Sequence, residues 1–256
     1  MAGPKFSLTV IHIPHSSTAI PRNLRHQFIL RQPELESELL RMTDRYTDKL
    51  FALPPGLATT VISPVSRLVV DPERFLDDTM EPMAAKGMGV VYMKTSFKRP
   101  LRCPISRAER AALISKYYAP HHRKLSAAVA KILSSCGKCL IIDAHSFPSV
   151  PLQYENDQRP NRPAICIGTD EYHTPAELER AAVETFRREF DPVAVNRPFG
   201  GALVPADYYR KDKRVQAIMI EVNRAIYMDE VTGQQLAGFN GVKEGIRRAL
   251  TIIIDA

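Results

Sequence analysis

Two histidines of the chain each follow an apolar run, in positions where an imidazole could bind a metal ion. His15 follows the strand-like segment 6–13, and His145 follows the run 140–142 within the stretch 139–146. In an open α/β sheet, groups beyond the carboxyl ends of buried strands line the ligand crevice. We therefore expect His15 and His145 to lie in loops at one edge of a sheet.

Two carboxylates stand where they could complete a hydrolytic site. Asp44 lies on the predicted helix 34–51 among apolar neighbours, and Glu221 lies near the end of the apolar run 216–222. Hydrolytic zinc sites use three protein ligands and leave one position for water, and a separate carboxylate can act as general base. Asp44 is the candidate third ligand and Glu221 the candidate base. Alternatives stay open for both: an exposed Asp44, and a salt bridge from Glu221 to Arg224.

Two arginines flank a turn that could bind an anion. Arg67 and Arg74 stand on either side of Asp71 in a proline-containing turn. A guanidinium group presents two parallel donors to a carboxylate. Farther along the chain, Gly200 and Gly201 permit a close approach of the backbone to a ligand. These residues predict an anion-binding pocket near the histidines.

The elements that must position these residues predict an α/β protein with a mixed sheet between helices, in a single domain over residues 1–256. Apolar runs predict strands, and longer amphipathic segments predict helices. The strands are expected at 6–13, 58–63, 68–70, 140–142, 164–168 and 216–222, and the helices at 34–51, 106–135, 174–190 and 238–254. Segment 75–100 is predicted to be a surface excursion of the kind that forms lids, and 148–163 a loop over the crevice.

Composition and charge exclude several classes of protein. The sequence contains no apolar run of 18 residues, so we expect no membrane span, and we expect a cytoplasmic protein without a secretory signal. The net charge of +7 is spread along the chain and would attract anionic small molecules. Without Trp or a long basic block, a nucleic-acid footprint is weak. Cys136 and Cys139 have CxxC spacing with no second pair, which argues against a structural zinc site.

Several pieces of the sequence together resemble the N-formylglutamate amidohydrolase family and, more distantly, zinc carboxypeptidases and aspartoacylases. They extend from about Thr9 to Arg224, and their order is more specific than any one piece. The pieces are Pro14-His15-Ser16, Thr43-Asp44…Asp48, Ser66-Arg67-Leu-Val-Val-Asp71-Pro-Glu-Arg74, Asp143-Ala-His145-Ser146, Pro198-Phe-Gly-Gly201 and Glu221-Val-Asn-Arg224. The resemblance implies a phosphorylase/hydrolase-like α/β fold and metal-dependent deacylation of an N-acyl amino acid.

The resemblance also implies a role for each residue of the site. One divalent metal ion per chain, expected to be zinc, would be bound by His15, Asp44 and His145. Glu221 would be the general base, which takes a proton from water and passes it to the leaving amine, and Arg67 and Arg74 would hold the substrate carboxylate or the oxyanion. Of the two arginines, we expect Arg74 to bind the carboxylate of the substrate and Arg67 to lie closer to the reacting carbonyl. The other residues expected to bind substrate are Arg224, Ser146, Gly200 and Gly201.

The sequence departs from the family at two positions. Ser17 stands where the family usually has glycine, and Glu73 where it usually has asparagine. Glu73 places a negative charge beside Arg74, which could weaken recognition of a second substrate carboxylate. The expected substrate is a small N-acyl amino acid such as N-formylglutamate, with no nucleic-acid or membrane partner. The alternatives are a carboxypeptidase-like or peptidoglycan-related amidase, a non-catalytic carboxylate-binding protein on the same fold, and a basic nucleic-acid binder.

Overall fold

A mixed sheet organises the computed structural model, which describes residues 8–255. The strands of the described chain are β1 (Thr9–Ile13), β2 (Thr59–Ile62), β3 (Cys139–Phe147), β4 (Ile165–Gly168), β5 (Val193–Val195) and β6 (Val215–Asn223). Their order across the sheet is β2-β1-β3-β6-β4-β5. Strands β2, β1, β3 and β6 are parallel, whereas β4 runs antiparallel to β6. The parallel strands therefore bring their carboxyl ends to one edge.

Helices cover both faces of the sheet. They are α1 (Gln32–Met42), α2 (Thr47–Leu50), α3 (Arg107–Leu113), α4 (Ala119–Cys136), α5 (Ala176–Arg187) and α6 (Phe239–Asp255). On one face, the apolar side of α4 packs on β1 and β3, and on the other face α2, α5 and α6 pack on the sheet. The predicted fold class is confirmed. No helix within residues 8–255 is long and apolar enough to cross a membrane.

Strand β3 is longer than the sequence predicts. His145 was expected in a loop after a strand, but β3 continues to Phe147 and stays paired with β6 up to Asn223. Successive side chains of a strand point to opposite faces. Ile142 and Ala144 are therefore buried in the cluster that contains α6, while Asp143 and His145 point to the other face. A polar residue at every second position can thus belong to a fully paired strand.

The predicted helix 34–51 is interrupted. The backbone leaves helical geometry at Thr43, and Tyr46 adopts a left-handed conformation with φ of 68° before α2 begins. Between them the Asp44 N–H donates a hydrogen bond to the His15 carbonyl at 3.0 Å. The break attaches Asp44 to the loop that carries His15.

Two further predictions on secondary structure are wrong. Residues 68–70 do not form a strand, because the N–H groups of Val69 and Val70 both donate to the carbonyl of Ser66 in a buried turn. Segment 75–100 is more than a surface excursion, since its residues 88–92 are buried and belong to a second apolar cluster. The short strand β5 was not predicted.

Candidate active site

A cavity of about 350 Å³ lies at the edge where β1, β3 and β6 end. Its volume suits a small-molecule ligand. All the predicted site residues except Gly201 line this cavity, and the Gly201 N–H donates to the carbonyl of Thr169 instead. The fold therefore brings together residues that are spread over more than 200 positions of the sequence.

His15 presents one unpaired ring nitrogen to the site. Its Nε2 lies 2.8 Å from Oδ1 of Asp71, a buried carboxylate. Burial opposes the ionisation of Asp71, but Arg67 and His15 hold its pKa well below the usual range. Asp71 therefore accepts a hydrogen bond from the N–H at Nε2, and in a neutral ring this leaves the lone pair on Nδ1. Within residues 8–255 that Nδ1 has no hydrogen-bond partner, and it lies 3.6 Å from Asp44 Oδ2 and 3.9 Å from Glu73 Oε2.

His145 stands among three carboxylates. Its Nδ1 lies 3.0 Å from Asp44 Oδ2, and its Nε2 lies 3.0 Å from Glu73 Oε1 and 3.2 Å from Asp143 Oδ1. One ligand atom each from His15, Glu73 and His145 lie within 4.8 Å of one another, as a metal site requires. If His145 binds a metal through Nδ1, Asp44 is placed to be the third ligand; if it binds through Nε2, Glu73 is.

Arg224 anchors Asp44. Its Nη2 donates to Asp44 Oδ1 at 2.9 Å, its Nε donates to the Ser146 hydroxyl at 3.2 Å, and a further N–H donates to the carbonyl of Arg41. The open alternative of a salt bridge from Glu221 to Arg224 is not formed in the described chain; the ion pair of Arg224 is with Asp44. Only 4% of the Arg224 surface is exposed, and its bond to Oδ1 holds the Asp44 carboxylate in place. Arg224 also lines the cavity, and its binding of substrate stays a prediction.

Glu221 lies beside His145 on the same face of the sheet. The two residues are paired in the register of β3 and β6. Glu221 is buried, and its Oε2 has no hydrogen-bond partner in the part of the chain that the structure describes. Burial raises the pKa of Glu221 to about 8. A carboxyl group with a pKa near neutrality can exchange protons at physiological pH, as a general base requires.

The site is rich in groups that can bind a metal ion. It contains five carboxyl groups, of Asp44, Asp71, Glu73, Asp143 and Glu221, and three guanidinium groups, of Arg67, Arg74 and Arg224. Ionised groups away from water need compensating charge. Part of it comes from His145, because, although burial opposes its charge, Glu73 and Asp143 raise the pKa of its imidazole well above the usual value. A cation bound at this imidazole and at the free Nδ1 of His15 would take the place of that proton, so the donor set fits a metal ion.

Sequence reasoning missed the contribution of His12 and gave Glu73 no place in the metal site. His12 is fully buried, with Nδ1 2.8 Å from Asp143 Oδ1 and Nε2 2.8 Å from His121 Nε2. Burial lowers the pKa of His121 to about 2, so His121 is neutral in this pair. The signal was available in part, because strand alternation places His12 on a sheet face. Its partner Asp143 follows only from the register of β1 and β3.

Comparison with known proteins identifies the family. The sequence profile of the N-formylglutamate amidohydrolases matches residues 7–228. The chain belongs to the N-formylglutamate amidohydrolase family. The resemblance drawn from the short motifs is thereby confirmed.

One relative and two solved structures show how much sequence and fold are shared. An N-formylglutamate deformylase from Pseudomonas aeruginosa is 28% identical over 204 residues, which are 76% of this chain and 74% of that protein. A crystal structure of an N-formylglutamate amidohydrolase from Ralstonia eutropha aligns with a TM-score of 0.81 and 22% identity, over 98% of this chain and 94% of that one. A gene product of Agrobacterium tumefaciens aligns with a TM-score of 0.68 and 22% identity, over 96% and 91%. Both structures share the fold.

Glu73, which was expected to place a negative charge beside Arg74, lies inside the cluster of histidines. Glu73 forms its ion pairs with His145, His12 and His15. No ion pair joins it to Arg74 among residues 8–255. The negative charge of Glu73 is therefore held by the imidazoles and does not neutralise Arg74.

Proposed function

We propose that this chain is a zinc-dependent amidohydrolase that hydrolyses the N-acyl amide bond of an N-acyl amino acid such as N-formylglutamate. The observation that carries the proposal is the free Nδ1 of buried His15, which faces His145 and two carboxylates in a cavity beside the unpaired Glu221. The named relative from Pseudomonas aeruginosa, a deformylase of N-formylglutamate, supports the choice of reaction and substrate.

One metal ion would be held by Nδ1 of His15, Nδ1 of His145 and Oδ2 of Asp44. Asp44 Oδ2 lies 3.0 Å and 3.6 Å from these two nitrogens. Each imidazole could then donate its other N–H to a carboxylate, which is the usual outer shell of a metal-binding histidine: Asp71 for His15 and Asp143 for His145. When bound, zinc supplies Lewis acidity, which activates a water molecule and polarises the acyl carbonyl.

The protein's own groups would handle the protons and the substrate. Glu221 takes a proton from the attacking water and returns it to the leaving amine. Arg67 is fixed by Asp71, to whose Oδ2 it donates from Nε at 3.1 Å and from Nη2 at 2.8 Å, and it would stabilise the oxyanion. Arg74 would bind the α-carboxylate, and the backbone at Gly200 would approach the substrate closely. A Cβ at Gly200 would lie 2.9 Å from Asn196 Oδ1, so a larger residue does not fit there without movement.

The proposal also places the enzyme in the cytoplasm. The support is that all four cysteines are free thiols, which is usual in a reducing compartment.

Elemental analysis combined with a substrate screen tests the proposal. Protein purified without chelator and offered zinc should contain one zinc ion per chain. It should release formate from N-formylglutamate, and the screen should include other N-acyl amino acids, peptides and peptidoglycan fragments. Turnover of peptides alone would favour the carboxypeptidase-like alternative. Failure to bind zinc, or binding of carboxylates without turnover of any substrate, would contradict the proposal.

A further inference from the structure

The two long loops over the cavity meet at Lys86. Its ammonium group donates hydrogen bonds to the carbonyl of Tyr154 at 2.6 Å and to Oδ1 of Asn156 at 2.7 Å. All three residues line the cavity. Lys86 thus joins segment 75–100 to segment 148–163 and forms part of the cavity wall.

Lys86 differs from the other cations of this cavity. Arg41, Arg67, Arg74 and Arg224 also line it, and each lies within 4.0 Å of a carboxylate: Glu38, Asp71, Asp71 and Asp44 respectively. Lys86 has only neutral acceptors in the described chain. An ammonium group has three donors, so one remains after the bonds to Tyr154 and Asn156. The cavity therefore contains a half-buried positive charge that the protein itself does not balance.

Two carboxylates that line the cavity already form ion pairs with other residues. Glu73 pairs with the histidines, and Glu155 pairs with Arg162, the two side chains being almost completely buried. Neither forms an ion pair with Lys86. An anion from the substrate would meet no competing carboxylate at this point of the wall.

We propose that Lys86 determines the side-chain specificity of this site, by binding the carboxylate at the end of an acidic substrate side chain. The inference rests on the proposed function, which assigns the α-carboxylate to Arg74. It adds a separate contact that distinguishes an acidic side chain from a neutral one of the same size.

A comparison of N-formylglutamate with N-formylglutamine tests the assignment, because the two differ only at the end of the side chain. Lys86→Met keeps the length of the side chain and removes its charge. The variant should lower kcat/KM for N-formylglutamate by about 10- to 150-fold, the loss expected for one hydrogen bond between charged groups, mainly through KM. For N-formylglutamine the loss should be less than about 3-fold, because a neutral amide gains little from the ammonium group. Lys86→Arg should recover part of the preference.

Lys94→Met is the matched control. Lys94 lies in the same segment, is exposed and does not line the cavity, so this variant makes the same change in net charge without touching the proposed contact. It should leave both substrates unaffected. Equal losses on both substrates in Lys86→Met would mean that Lys86 only holds the two loops together, and no loss on either would mean that the side-chain carboxylate is bound elsewhere. Both results overturn the proposal.

Calorimetry with glutarate separates this proposal from the proposed function. If the wild type binds glutarate at least 10-fold more tightly than Lys86→Met does, the carboxylate site stands even if no N-acyl amino acid is hydrolysed. If glutarate binds equally to both proteins while N-formylglutamate is hydrolysed, the function stands and the site at Lys86 is wrong.

Discussion

Glu221 is chemically distinct from its neighbours because it lacks a hydrogen-bonded cation. Asp44 accepts from Arg224, and Asp71 accepts from Arg67, whereas no guanidinium or imidazole donates to Glu221 in residues 8–255. Burial therefore dominates and raises the pKa of Glu221 to about 8. The other carboxylates of the site are suited to hold charges in place, and Glu221 is suited to move a proton.

Glu221→Gln should retain the metal and lose most of the activity. The amide is nearly isosteric with the carboxylate but cannot accept the proton, and general-base catalysis typically contributes about 10²–10⁴-fold. We expect a fall of that size in kcat, with unchanged zinc content by elemental analysis. Glu184→Gln, at an exposed position of α5, is the control and should behave as wild type. Near wild-type turnover of Glu221→Gln would move the base elsewhere, with Asp143 as the next residue to test.

Asp44→Asn and Glu73→Gln decide which carboxylate binds the metal. Asp44 faces Nδ1 of His145, and Glu73 faces Nε2. We expect Asp44→Asn to lose most of the bound zinc, because Asp44 Oδ2 also lies closer to the free nitrogen of His15. Glu73→Gln should retain zinc. The measurement is a competition titration with a chromophoric chelator, and the reverse order of affinities would assign the ligand role to Glu73.

Arg74→Ala should discriminate between acids and amides. Arg74 has an Nε without a hydrogen-bond partner in the described residues and makes a long 3.4 Å contact to the Tyr92 hydroxyl. A hydrogen bond to a charged group contributes roughly 1.5–3 kcal/mol. The variant should lower kcat/KM for N-acyl amino acids by about 10- to 150-fold, and much less for the matching amino-acid amides. Equal losses on acid and amide would mean that Arg74 supports the turn or the oxyanion.

The chemistry of individual residues was more predictable than their partners. His15, Asp44, His145 and Glu221 could be named because imidazoles and carboxylates near the ends of apolar runs are unusual. For Glu73 the sequence indicates only a charge beside Arg74, since it gives no direction for a side chain in a turn.

At the scale of elements, hydrophobic periodicity located strands and helices but misjudged where they end. The helical apolar pattern continues through Tyr46 and Leu50, so nothing in it reveals the break between α1 and α2. The break depends on the contact of the Asp44 N–H with the loop after β1, which is a tertiary interaction. Strand β3 extends beyond the predicted run 140–142. The polar residues at its end face the site, and in the sequence they resemble the start of a loop.

The capping box at the start of α3 gives an element-scale prediction. Ser106 Oγ accepts from the Glu109 N–H at 3.2 Å, and Glu109 Oε2 accepts from the Ser106 N–H at 2.7 Å. Ser106→Ala should lower the free energy of unfolding by about 1 kcal/mol, because one N–H of the first turn loses its acceptor. Urea denaturation measures the change. Ser134→Ala, at an exposed position within α4, is the control and should shift it by less than about 0.5 kcal/mol; equal shifts would show that the cap contributes nothing.

At the scale of the whole molecule, the net charge of the protein and the charges of its site serve different steps. The chain has a net charge of +7, and a positive surface can attract an anionic substrate. Inside the site burial opposes a charge on His145, but the carboxylates of Glu73 and Asp143 raise its pKa well above the usual value, so the imidazole holds a proton there. We expect the metal ion to replace that proton and to compensate these carboxylates when it binds.

Metal removal should therefore destabilise the entire fold. The proposed ligands come from the loop after β1, the break between α1 and α2, and β3, so one ion connects three separate parts of the chain. A ligand at 100 times its Kd that binds only the folded state adds about 2.7 kcal/mol to the free energy of unfolding. For a chain of this size, each kcal/mol raises Tm by about 2–4 °C, so zinc added to chelated protein should raise Tm by about 5–11 °C in a thermal scan. His15→Ala should lose this zinc-dependent increase. The Tm of the variant with zinc is compared with its own Tm without zinc, so any effect of the substitution on stability cancels. If His15→Ala shows the same increase as the wild type, zinc binds elsewhere, and the thiols of Cys136 and Cys139 would be the next pair to replace.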